Sequence, residues 1–149
     1  MQSDSGLRAD NLDIQDDYLT PIKNAFKAAT GITDNDIILM PALFETVSNC
    51  GGGKAALIPG TVNLIVADTG SGSTKLFLPD PFFRDVFDQS VDPFIAAFDA
   101  LLPDDYDTHY LDDWYSYHEL LGEVHCGTNV ERTPLENWWE VALHLVEDN

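Results

Sequence analysis

Cys126 is one of two cysteines in this 149-residue chain, and it lies in the segment GEVHCGTNV, residues 122–130. A thiol attacks carbon well only as thiolate, so a nucleophilic cysteine needs a cation or hydrogen-bond donor that brings its pKa down from about 8.5. Gly122 and Gly127 flank the thiol and permit close backbone approach by a planar substrate. Thr128 and Asn129 offer a hydroxyl and an amide able to orient a reacting atom. His125 is adjacent, but neighbours on a strand point to opposite faces, so a strand here would turn it away from Cys126. Residue types alone leave two readings open: a catalytic thiol, or an inert cysteine packed as a small hydrophobe. Cys50 sits beside three glycines and is expected to be an exposed thiol without a role. Neither cysteine has a CxxC or Cys/His spacing of zinc type.

The elements that must position these residues follow from pattern. Residues 1–14 are polar and acidic and read as a flexible lead-in, with the remaining residues 15–149 as one domain. Leu19, Ile22, Phe26 and Ala29 recur at helical spacing, so Tyr18 to Thr30 is expected as a helix, with Pro21 in its first turn and Gly31 as its stop. The run IILM predicts a short buried strand within residues 36–44. TVNLIVA (61–67) and residues 75–78 read as the two strands of a hairpin around the turn DTGSGS, which lacks the spacing of a phosphate-binding loop. Phe94, Ile95, Phe98 and Leu101 place a helix within residues 91–102. Residues 109–118 lean to strand, residues 122–130 to a strand or turn-strand, and residues 135–146, with Trp138 and Trp139, to a closing helix. The order from residue 61 is strand, strand, helix, strand, a mixed α/β unit.

Composition bounds the partners. Seven basic against 26 acidic residues give a net charge of −19, which repels nucleic acid and anionic membrane and attracts cationic, arginine-rich peptide. The same charge also serves solubility alone. The start carries no basic and apolar leader, no apolar run reaches the roughly 18 residues of a spanning helix, and two cysteines make no disulfide scaffold. A reducing, cytoplasmic setting is expected. The acids Asp104, Asp105, Asp107, Asp112 and Asp113 lack the spacing of an EF-hand and read as a solvated face. Trp114, Trp138 and Trp139 read as packing aromatics rather than a peptide groove.

GEVHCGTNV, preceded by DDWYSYH and followed by RTP and a Trp-Trp pair, resembles the C-terminal end of the protein-arginine deiminases. GITDNDIILMPALF (31–44), PGTVNLIVADTG (59–70) and LFLPDPF (76–82) resemble upstream segments of that family, so the resemblance spans about residues 15–141. It implies the pentein fold, a five-bladed propeller of ββαβ modules, of which this chain would hold about one and a half. It implies that Cys126 attacks the guanidinium carbon of a peptidyl-arginine, that ammonia leaves, and that water hydrolyses the thiouronium to peptidyl-citrulline. His118 matches a Tyr-His near the family's substrate cleft, and Gly127, Thr128 and Arg132 are candidate substrate contacts. Arg132 has the alternative of a simple ion pair with one of the many acids.

The resemblance also implies a His general acid/base, two substrate-binding Asp and calcium-ligating acids, all upstream of the Cys in the family. The family His lies further before the Cys than the 125 residues available here, so His109, His118, His125 and His144 do not match it. No metal ligand is assigned in this chain, although the family implies calcium. Association with the missing modules or another chain is therefore expected. Two alternatives remain: a non-catalytic binding module for arginine-rich partners, and a small-molecule amidinohydrolase of the same superfamily.

Overall fold

In the computed structural model, residues 4–47, 53–68, 70, 72–129 and 131 are described. The expected closing helix with Trp138 and Trp139, Arg132, and the Cys50 loop lie outside these residues.

Helix starts earlier than the periodicity suggested. Asp4 caps it by accepting from the Leu7 amide at 2.9 Å, and residues expected as a lead-in form α1, Ser5–Ile14. Tertiary contact outweighs weak propensity here. Ile14 is buried, and the Asn11 side chain clamps the backbone of Phe44 through both its amide nitrogen and its oxygen, at 2.9 and 2.8 Å. A π-helical turn, Gln15–Leu19, joins α1 to α2, Thr20–Thr30. Pro21 explains the widened turn: it has no N–H to donate and its ring crowds the preceding carbonyls. Gly31, at φ 77°, ends α2 in the left-handed conformation.

The strand expected from IILM does not form. Residues 37–43 are irregular after a single 3₁₀ turn, Asp34–Asp36, whose capping box is made by Thr33 and Asp36. Ile38 and Leu39 are both exposed, and Pro41 removes an amide that pairing would need. The strand begins only at β1, Phe44–Val47, which pairs antiparallel with β2, Gly53–Ala56.

The second sheet matches the expected order more closely. β3, Ile65–Asp68, and β4, Thr74–Pro79, form an antiparallel hairpin. α3, Pro93–Asp99, then leads to β5, Tyr106–Leu111, which lies parallel to β4. The sheet order is β3-β4-β5, so residues 65–111 run strand, strand, helix, strand. The central strand β4 carries the core: Leu76 and Leu78 pack with Phe98 of α3, and Met40, Leu64, Leu102 and Tyr110 close around them. The architecture is α/β with two small sheets. Among the described residues no helix is long and apolar enough to cross a membrane.

Candidate active site

Beyond β5 the chain runs through a series of tight turns that ends at Cys126. The backbone carbonyl of Asp113 accepts from the amides of Tyr117 and His118, and a 3₁₀ turn, His118–Leu120, follows. Leu121 then adopts φ 63°, a conformation that costs a residue with a Cβ roughly 1–2 kcal/mol. That reversal delivers residues 123–128 as one more turn, in which Glu123 O accepts from the Gly127 amide at 3.1 Å and His125 O from the Thr128 amide at 3.3 Å.

The turn faces two ways. Glu123 and Val124 are buried, while His125 and Cys126 are exposed. The expectation of a strand is thus corrected to a turn, and with it the alternation that pointed His125 away from Cys126. His125 is held by its backbone: its amide meets the side-chain oxygen of Asn63 at 3.0 Å and the backbone oxygen of the same residue at 3.2 Å.

By sequence Asn63 is a polar residue within the apolar run TVNLIVA. In the structure it stands just before β3, its amide bonded to Gly60 O at 3.0 Å, and its side-chain NH₂ donates to Cys126 Sγ at 3.3 Å. The Glu123 backbone amide first, and the Asn63 side chain second, hold the Cys126 thiol below its ordinary range; desolvation and the charge of Glu123 oppose them. An exposed thiol biased toward thiolate has the character that nucleophilic attack requires.

The other candidates are placed as follows. Gly127 packs so closely on Tyr117 that a Cβ would overlap the aromatic ring, and its carbonyl accepts from the Tyr117 hydroxyl at 3.3 Å. Glycine is therefore required here by packing. Thr128 directs its hydroxyl at the carbonyls of Val124 and His125, 2.9 and 3.1 Å away, so it braces the turn. His118 meets the turn at Glu123, with Nδ1 2.9 Å from Oε1, and packs on Trp114 with ring centroids 4.8 Å apart. Trp114 also makes an edge contact with Phe82, as expected for a packing aromatic.

Behind the turn lies a group the sequence did not announce. Asp113, expected on a solvated face, is buried, and both its carboxylate oxygens lack partners, as do Glu123 Oε2 and the Thr61 hydroxyl. Burial, then the neighbouring Glu123, pushes the Asp113 carboxyl up to about 6. Glu123 Oε1 is better served, accepting from the Gly60 amide at 3.2 Å besides facing His118. Asp107 keeps an exposed side chain, as expected of a solvated face, and pairs there with Lys75 at 2.6 Å. Among the described residues no three His, Cys, Asp or Glu side chains cluster as cation ligands.

Comparison with known proteins bears on the chain as a whole. The family model of protein-arginine deiminase matches residues 1–140. Rat protein-arginine deiminase type-4 is 35% identical over 123 residues, covering 80% of this chain and 18% of the relative. Human type-1 is 32% identical over 143 residues, 95% of this chain and 20% of the relative. Mouse type-3 is 34% identical over 122 residues, with 80% and 17% covered. The chain therefore spans about a fifth of the length of these relatives.

Proposed function

The chain belongs to the protein-arginine deiminase family, and we propose that it supplies the nucleophile of such an enzyme, Cys126, for the hydrolysis of peptidyl-arginine to peptidyl-citrulline and ammonia. The observation that carries the reading is an exposed thiol on a turn anchored from within, with an amide donor on its sulfur.

In this reaction the thiolate forms a bond to the guanidinium carbon. The C–N bond to one terminal nitrogen breaks, and that nitrogen takes a proton and departs as ammonia. Water adds to the thiouronium carbon, the C–S bond breaks, and the thiolate returns as the ureido product forms. The chain's own residues create the thiolate and hold it still. Proton transfer and guanidinium binding fall to the upstream His and Asp that the family resemblance implies, and general acid/base help alone is worth roughly 10²–10⁴ in rate. The relatives are protein-arginine deiminases, which favours a peptide substrate over a small free amidine, and the charge of −19 suits a cationic one. The strand, strand, helix, strand order of residues 65–111 is consistent with one module of a pentein propeller. A cytoplasmic setting and assembly with the remaining modules, on this or another polypeptide, complete the proposal.

The test is a transplant: this chain replaces the matching stretch of the rat type-4 relative, and citrulline formation on an arginine peptide is measured. Citrulline that disappears with Cys126→Ser is expected. A folded chimera with no turnover, or turnover indifferent to that substitution, overturns the reading. The purified 149-residue chain alone is expected to form no citrulline.

A further inference from the structure

Asn63 lies 63 residues before Cys126, yet its side chain makes two bonds to the nucleophile turn at once. The His125 amide has only a hydrogen to give, so the atom facing it at 3.0 Å must be the carboxamide oxygen. That fixes the flip of the side chain and leaves the NH₂ facing the sulfur at 3.3 Å. The residue itself is anchored, with its amide on Gly60 O and its own carbonyl accepting from His125. β3 begins two residues later, so the sheet fixes where the carboxamide stands.

We propose that Asn63 is the positioning residue of the nucleophile: its carboxamide locks the Cys126 turn through His125 and donates to the sulfur, favouring the thiolate. This rests on the reading of Cys126 as the nucleophile. The donation matters more for a thiolate than for a thiol, because a hydrogen bond to a charged acceptor is roughly twice as strong as one to a neutral acceptor. Among the described residues the groups facing the sulfur are few. Glu123, in the same turn, opposes ionisation by its charge while its backbone amide favours it. Gly122, packed beside the Cys126 Cβ, has no side chain to contribute. Asn63 is thus the side chain from another element that favours the charged form.

The experiment follows alkylation of Cys126 by iodoacetamide against pH in the intact chain, read on the Cys126 peptide by mass spectrometry, with folding checked by circular dichroism. In Asn63→Ala the profile moves to higher pH and the rate at pH 7 falls roughly threefold. In Asn63→Asp the shape and the acceptor for His125 remain while the donor becomes a carboxylate, and the profile moves further in the same direction. A folded Asn63→Ala with the wild-type profile overturns the proposal. If that variant does not fold, an unchanged profile in Asn63→Asp overturns it. The outcome separates from the deiminase reading. An active chimera with unmoved Asn63 profiles removes only the role of Asn63, and an inactive folded chimera with shifted profiles removes only the proposed reaction.

Discussion

Asp92 and Asp113 are both buried carboxylates, and the chain treats them in opposite ways. Asp92 caps α3, accepting from the amides of Phe94 and Ile95 at 2.9 and 3.1 Å. Its second oxygen accepts from the Phe83 amide at 2.7 Å and from the Arg84 guanidinium, which also grips Asp80. Asp113 is 3% exposed against 5% for Asp92, yet neither of its oxygens has a partner. A buried charge is tolerated when every lone pair is met and opposes folding when none is. The first acid is structural mortar for the DPFFR loop and α3. The second lies behind the turn that carries Cys126, beside the buried Glu123 whose charge opposes its ionisation.

Removing each acid should therefore give effects of opposite sign. Asp92→Ala strips the cap from α3 and leaves Arg84 and the Phe83 amide short of an acceptor, so a loss of about 3 kcal/mol is expected, read by urea unfolding. A loss below 1 kcal/mol would erase the contrast. Asp113→Asn is the smaller change. A carboxyl whose folded pKa is raised from 3.8 to about 6 costs nothing below the lower value. Its penalty grows as pH rises through the window between the two and is complete above it. The amide carries no charge and can donate to Glu123, so the variant should gain on the order of 1 kcal/mol at pH 7 and little at pH 4. Equal effects at both pH values would place Asp113 outside this account.

The sequence made one of these acids legible and hid the other. Asp92 stands before Pro93 at the head of an apolar 3.6-residue pattern, the position of a helix cap, and that pattern let α3 be read directly. Asp113 sits in a run of acids that looks solvated, and only the fold of residues 112–124 buries it. The same division runs through the rest of the molecule. The β3–β4 hairpin, α3 and the helical stretch from Tyr18 to Thr30 follow local pattern. α1 does not, because its order depends on Asn11 reaching Phe44, 33 residues away. IILM misled, since an unbroken apolar run carries no period and Pro41 prevented pairing. At the candidate site, Cys126 is singled out by its motif, whereas Asn63 left one weak trace, a polar residue in an otherwise apolar run. Thr128 and Gly127 had the right types for a site, but their backbone bracing and packing could be seen only in three dimensions.

The central claim is that the turn and Asn63 prepare Cys126 to attack, and the pH profile of its alkylation in the unmodified chain tests this most directly. A midpoint below the 8.5 or so of a free thiol is predicted, and a midpoint at or above that value would contradict the account.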